Sequence, residues 1–320
     1  MTSVFISTIP FGVHDKSPIT MLEDRGCSVR INDTGRKLTT EMLMEHIGDA
    51  EILIAGTENI TAEAMDTAPN LKIICRVGIG LDSVDLKAAQ DRNIIVSHTP
   101  DAPSPAVAEL SLGLMFDLLR QITWSTEGMR NHQWVRQFGK RLDRSIVGLL
   151  GYGRIGSLVA HKLKAFGVKD VLVYDIDPDK MESAKAAGCT LATPEDIYKT
   201  AEIISLHLPL SSQTKGMISK NELDLMGPET LLVNTSRGGI VHEDDLYDAL
   251  INKTILGAAM DVFEEEPYQG LLTACPNIIL TAHMGSMTVD CRTQMEIEAC
   301  EEASRYLDKT PILFPAPMPH

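Results

Sequence analysis

Three short segments of the 320-residue chain each put a polar group directly after an apolar, β-branched run. Arg237 follows Leu231-Leu232-Val233-Asn234. The acids Glu264, Glu265 and Glu266 follow Ala258-Ala259-Met260-Asp261-Val262, and His283 follows Ile278-Ile279-Leu280-Thr281. Such runs read as buried parallel strands, and in an open α/β sheet ligands sit beyond the carboxyl ends of the strands. A guanidinium can fork onto a carboxylate, and an imidazole can exchange a hydroxyl proton. A neighbouring carboxylate keeps that imidazole oriented and favours its protonated form. Together the three groups suit hydride transfer to or from a 2-hydroxy acid.

Hydride transfer needs a carrier, and a second motif supplies a place for one. Ser145-Ile146-Val147-Gly148-Leu149-Leu150 reads as a buried strand and runs directly into Gly151-Tyr152-Gly153-Arg154-Ile155-Gly156. In this G-x-G-x-x-G, Gly151 permits the tight turn, Gly153 lets a pyrophosphate approach the backbone, and Gly156 lets helix and strand pack closely. The helix start that follows carries partial positive charge. Asp175 ends the next strand, Val171-Leu172-Val173-Tyr174, 19 residues beyond Gly156. A carboxylate there takes the hydroxyls of an adenosine ribose. Asp175 and Asp177 would repel a 2′-phosphate, and no arginine follows closely, so NAD is expected rather than NADP.

The elements that must position these groups alternate along nearly the whole chain. Strand-like runs at Val4–Ile9, Val29–Ile31, Ile52–Ala55, Lys72–Val77 and Ile94–Ser97 are separated by helical patterns at Thr20–Arg25, Glu41–Ile47, Ala62–Met65 and Leu86–Asp91. A second series of strands begins at Ile146–Leu150 and ends at Ile278–Thr281. Its helices are expected at Ile155–Phe166, Met181–Ala187, Pro194–Thr200, Leu223–Met226 and Asp244–Asn252. Such alternation predicts an α/β fold with two parallel sheets, each covered by helices on both faces. Two stretches break the pattern, a long apolar helix from Ala106 through Leu119 and an amphipathic helix over Thr288–Leu307. Between Trp124 and Arg144 the chain reads as irregular and holds both tryptophans and Arg130, Arg136, Lys140, Arg141 and Arg144, either a solvated loop or an arm that packs on a partner subunit. The Pro-rich end Phe314–His320 is expected to fray.

Composition narrows the classes. Hydrophobic residues make up 44% and charged residues 23%, a balance that excludes a disordered chain. A net charge of −15 disfavours nucleic-acid binding. No apolar run approaches a membrane span, and the start Met1-Thr2-Ser3-Val4 lacks the basic region of a signal peptide. Six scattered cysteines show no metal-ligand spacing and read as reduced thiols of a cytoplasmic protein, so no metal is expected.

From about Leu53 to Pro311 the chain resembles the D-2-hydroxyacid dehydrogenase family. The resemblance is carried by Arg76-Val77-Gly78-Ile79-Gly80-Leu81-Asp82-Ser83-Val84-Asp85, Ala108-Glu109, the glycine fingerprint and His207-Leu208-Pro209-Leu210. It continues through the Asn-Thr-Ser-Arg-Gly run, Asp-Val-Phe-x-x-Glu-Pro and Thr281-x-His283-x-Gly285. It is nearest the phosphoglycerate-dehydrogenase-like branch, in a form without a C-terminal regulatory domain. The resemblance implies a Rossmann nucleotide-binding domain at 99–284, inserted into a flavodoxin-like substrate domain made of 1–98 and 285–320. It implies Arg237, Glu266 and His283 as the catalytic set, Glu266 being chosen because the family acid immediately precedes the proline. It further implies that NAD is touched by Arg154, Ile155, Asp175, His207, Pro209, Thr214, Thr235, Ser236, Arg237, Asp261, His283 and Gly285 besides the fingerprint glycines Gly151, Gly153 and Gly156. Val77, Gly78 and Ile79 would cradle the substrate carboxylate together with Arg237 and His283. The expected substrate is a small 2-hydroxy or 2-keto acid of the phosphoglycerate, hydroxypyruvate or glyoxylate type, and the expected assembly is a homodimer. Where phosphoglycerate enzymes carry an arginine this chain reads Ala55-Gly56-Thr57-Glu58, which disfavours a phosphorylated substrate. The C-terminal-binding-protein corepressors share the pattern, so an NAD-gated dimeric scaffold with little turnover is the alternative.

Overall fold

A computed structural model describes residues 1–317, so the last three residues of the Pro-rich end, 318–320, lie outside the described residues. The chain divides into two compact units, one made of 1–103 and 286–320 and the other of 104–285. The sequence reading put these boundaries at 98/99 and 284/285.

The first unit alternates β1 (Ser3–Ile6), α1 (Ser17–Glu23), β2 (Ser28–Ile31), α2 (Thr40–Ile47), β3 (Ile52–Ala55), α3 (Ala62–Asp66), β4 (Ile73–Arg76), α4 (Leu86–Asp91) and β5 (Ile95–His98). The five strands are parallel in the order β2-β1-β3-β4-β5. Every residue of β3 and β4 is buried, as unbroken apolar runs covered on both faces require. Side chains of Thr39, Thr61 and Asp85 accept N–H groups at the starts of α2, α3 and α4, which fixes where those helices begin.

The second unit runs α5 (Pro103–Arg120), α6 (Ile122–Arg130), β6 (Val147–Leu150), α7 (Arg154–Ala165), β7 (Val171–Tyr174), α8 (Pro178–Ala186), β8 (Thr190–Leu191), α9 (Pro194–Thr200), β9 (Ile203–Leu206), α10 (Lys220–Leu225), β10 (Leu231–Asn234), α11 (Glu243–Ile251), β11 (Gly257–Met260) and β12 (Ile278–Leu280). Its seven strands are parallel in the order β12-β11-β10-β9-β6-β7-β8. Two apolar clusters sandwich this sheet, one including Val147, Leu149, Val159 and Leu163 and the other Leu150, Ile204, Leu232 and Leu246. The final helix, α12 (Val289–Leu307), returns to the first unit and packs on α1 and on strands β3, β4 and β5.

Several expectations need correction. Part of the supposed irregular arm is a helix, α6, whose Ile122, Thr123, Thr126 and Gly128 are weak helix formers and none of whose residues is fully buried. The two-residue strand β8 is exposed at both positions and was not foreseen. Helix α8 starts three residues before the expected Met181, because Asp177 caps it and Pro178 sits in its first turn. Among the described residues no helix is long and apolar enough to cross a membrane, and no group of three or more His, Cys, Asp or Glu could hold a metal ion.

Candidate active site

The glycine turn in the second unit is built by close approach. Gly151 has φ +99°, and a Cβ there would lie 2.4 Å from the carbonyl oxygen of His207. A Cβ on Gly156 would lie 2.1 Å from the Gly151 carbonyl oxygen, so helix α7 and the turn touch backbone to backbone. Around Gly153 a Cβ would meet nothing within 4 Å, and Gly153 starts α7 without a side-chain cap. Open space over an uncapped helix start is what a pyrophosphate needs.

Asp175 follows β7 with both carboxylate oxygens oriented. Oδ2 accepts the Tyr152 N–H at 2.7 Å and Oδ1 the Asp177 N–H at 2.9 Å. Each oxygen keeps capacity for a further donor. A shallow cleft beside it is lined by Tyr174, Ile176, Pro178, Met181 and Leu191 together with Glu182 and Lys185, a mixed lining with apolar surface for an adenine. The residues present therefore fit a dinucleotide. His207, at the end of β9, bonds Ser205 Oγ through Nε2 at 3.0 Å, while its Nδ1 is buried without a partner. Burial pushes the His207 ring down to about 4. Thr214 is tied into its own turn, donating to the Pro209 carbonyl at 2.6 Å and accepting the Ser211 N–H at 2.8 Å.

Arg237, Glu266 and His283 follow three neighbouring strands, β10, β11 and β12, whose last residues lie in register. His283 Nδ1 donates to Glu266 Oε2 at 2.8 Å, and Glu266 Oε1 accepts the Phe263 N–H at 3.1 Å. The two neighbouring acids point elsewhere. Glu264 pairs with Lys215 at 3.3 Å, and Glu265 is exposed. Gly238, next to Arg237, packs against the Glu266-bearing loop so tightly that a Cβ would sit 1.9 Å from the Phe263 carbonyl oxygen. The Arg237 guanidinium donates Nη1–H to the Ser236 carbonyl at 2.7 Å.

His283 has φ +49°, one of six non-glycine residues at positive φ among the described residues. Asp261 holds it there. Its backbone carbonyl accepts the His283 N–H at 2.8 Å. Its Oδ1 accepts from Thr281 Oγ1 at 2.6 Å and the Met284 N–H at 2.8 Å, and Oδ2 takes the Gly285 N–H at 2.9 Å. The buried Asp261 carboxylate thus fixes the backbone on either side of His283. Thr235 is buried and shares a 2.7 Å hydrogen bond with Ser111 of α5. Ser111, Thr281 and Asn234 were not foreseen as site residues; the buried polar side chain at a strand end was the available signal for Asn234.

In the first unit, loop 77–79 departs from a three-amide cradle. The Val77 N–H donates to the Ala55 carbonyl at 2.8 Å, and the Gly78 N–H to Thr99 Oγ1 at 2.8 Å. The Ile79 N–H has no such bond among the described residues. Glu58, which stands in the segment where phosphoglycerate enzymes carry an arginine, is 2% exposed, accepting the Gly56 N–H at 2.9 Å and the Ser7 hydroxyl.

A dinucleotide-binding sheet with an arginine, a glutamate and a histidine at adjacent strand ends defines an oxidoreductase of 2-hydroxy acids. The chain belongs to the D-isomer-specific 2-hydroxyacid dehydrogenase family, whose NAD-binding-domain model matches residues 112–285. It is 37% identical over 276 residues to D-3-phosphoglycerate dehydrogenase of Methanocaldococcus jannaschii, covering 84% of this chain and 52% of that protein. It is 34% identical over 281 residues to hydroxypyruvate reductase of Thermotoga maritima, covering 86% and 90%. The chain thus spans about half the length of the first relative and nearly all of the second. The crystal structure of D-lactate dehydrogenase from Aquifex aeolicus, complexed with NAD and lactic acid, superposes with a TM-score of 0.84 at 27% identity over 96% of each chain. The cofactor is NAD. These relatives are dehydrogenases and reductases, and the scaffold reading finds no support among them.

Proposed function

We propose that the protein interconverts a small, unphosphorylated 2-hydroxy acid and its 2-keto acid, with Arg237, Glu266 and His283 as catalytic residues. The observation that carries this is the 2.8 Å bond from His283 Nδ1 to Glu266. With Nδ1 committed, Nε2 is the nitrogen left to exchange the hydroxyl proton, and Glu266 stabilises the imidazolium formed in oxidation. The Arg237 fork holds the substrate carboxylate. Bound NAD supplies the hydride acceptor for C2–H, and NADH the donor in reverse. The residues that would hold it are the backbone at Gly151, Gly153 and Gly156, with Arg154, Ile155 and Asp175; His207, Pro209, Thr214, Thr235, Ser236, Asp261 and Gly285 are further candidate contacts.

The first unit is the candidate substrate domain and the second the nucleotide domain. Within loop Val77-Gly78-Ile79, the Ile79 N–H is the donor we assign to a substrate carboxylate. Glu58 supports an unphosphorylated substrate. Its carboxylate is fixed in the loop after β3, beyond the carboxyl edge of the first unit's sheet, and a phosphate near it would be desolvated beside a like charge. A homodimer is supported by the arm, where Trp134 is 79% and Phe138 100% exposed, more apolar surface than water favours. Six free, buried cysteines support a cytoplasmic location.

The test is a kcat/KM panel with NADH consumption read optically. Hydroxypyruvate or glyoxylate is expected to lead 3-phosphohydroxypyruvate; a preference of about tenfold or more for the phosphorylated acid would overturn the assignment.

A further inference from the structure

We propose that Asn234 is a positioning residue for Arg237, an assignment that rests on Arg237 gripping the substrate carboxylate. Asn234 ends β10 and is wholly buried, 0% exposed. A buried amide left unpaired is destabilising, so its bonds say what it is for. All three run forward along the chain. Oδ1 accepts the Ser236 N–H at 3.0 Å and the Ser236 Oγ–H at 2.8 Å, and Nδ2 donates to the Arg237 carbonyl at 2.9 Å.

These bonds close a ring around residues 234–237 and hold the 235–236 peptide and the peptide on the C-terminal side of Arg237. The guanidinium refers its own position to the same ring, through Nη1 to the Ser236 carbonyl at 2.7 Å. The backbone carbonyl of Asn234 accepts the Asp261 N–H at 2.9 Å. One residue thereby ties the Arg237 turn to the strand end that holds His283.

A turn needing only closure would be served by aspartate, which accepts the two Ser236 bonds equally well. The Nδ2 bond to the Arg237 carbonyl is the one that requires an amide. In Asn234→Asp an oxygen faces that carbonyl oxygen, and the Arg237 backbone must move away. Displacement of a substrate-clamping group by about 1 Å costs on the order of 10²-fold.

The experiment compares the parent protein with Asn234→Asp, Asn234→Ala and Arg237→Ala. It measures steady-state kinetics on the fastest 2-keto acid of the panel, NADH binding by fluorescence titration, and thermal unfolding. For Asn234→Asp the KM for the keto acid is expected to rise about 10- to 100-fold, with NADH affinity within about twofold of the parent. Asn234→Ala is expected to follow; where it does not fold, the near-isosteric Asn234→Asp decides. An unchanged KM, or a KM that rises only in step with a loss of NADH affinity, overturns the positioning role. If Arg237→Ala itself leaves KM unchanged, the failure lies in the carboxylate assignment beneath it.

Discussion

Glu266→Gln replaces one of two acceptor oxygens by a donor, at a position where both oxygens already face donors. Oε1 takes the Phe263 N–H at 3.1 Å and Oε2 the His283 Nδ1–H at 2.8 Å. Glutamine offers one acceptor, so one of these contacts becomes N–H against N–H. If the amide carbonyl stays on Phe263, its NH₂ faces Nδ1, and the neutral ring must carry its proton on Nε2. That tautomer cannot accept a hydroxyl proton, and the imidazolium needed for reduction has lost its partner. If the carbonyl turns to His283 instead, the N–H of buried Phe263 goes unpaired, a cost of about 1–3 kcal/mol that displaces the loop. The His283 and Glu266 side chains are 42% and 31% exposed, so their direct attraction is screened and the orientation of the ring is the larger effect. Loss of general acid–base catalysis is worth about 10² to 10⁴ in rate, or about 3 to 5 kcal/mol on the barrier. The assay is kcat/KM on the fastest 2-keto acid, beside NADH affinity by fluorescence. Turnover is expected to fall by that factor while NADH binding is retained; kcat/KM within about threefold of the parent would refute the tautomer reasoning.

Two further outcomes follow from the nucleotide side. Asp175→Ala removes the oriented acceptors for a ribose, so NADH affinity is expected to fall about 10- to 100-fold, with preference over NADPH relaxed; an unchanged ratio of the two affinities in parallel titrations would count against the assignment. His207 is held down to about 4 from 6.5 by burial, so between those values the unfolded chain binds a proton that the folded chain does not. The stability this neutral ring contributes is present above pH 6.5 and lost as pH falls toward 4, up to about 3 kcal/mol. His207→Gln is expected to flatten that part of the pH–stability curve in urea unfolding, and curves parallel to the parent's would contradict it.

The glycine turn and the strand-end placement of Arg237, His283 and the acids Glu264, Glu265 and Glu266 were legible because each depends on residue types at short spacing after a buried run; the choice of Glu266 among the acids came from the family resemblance. The same logic reached Asp175, since β7 is short and its carboxyl end is marked by the switch from Val171–Tyr174 to acid. What escaped depends on contacts between distant segments, or on an element of weak local propensity. Helix α6 has no fully buried residue and holds the weak helix formers Ile122, Thr123, Thr126 and Gly128, so local propensity argues against it. The Ser111–Thr235 bond joins residues 124 apart, and no local pattern encodes it. The amides of Val77 and Gly78 looked available in sequence but are spent on Ala55 and Thr99 once β3, β4 and the segment after β5 come together. The burial of Glu58 against Ser7 and Gly56 likewise depends on segments 51 residues apart meeting, which no local pattern shows.

The central claim is that His283 moves the proton in an NAD-linked redox step. Its most direct measurement is the single-turnover rate of NADH oxidation, with saturating 2-keto acid, for the parent protein and for His283→Ala. The account predicts that the parent turns over, and that the variant binds NADH as the parent does while oxidising it about 10² to 10⁴ times more slowly. Equal rates in the two proteins, or a parent that binds NADH yet reduces no 2-keto acid, would contradict it.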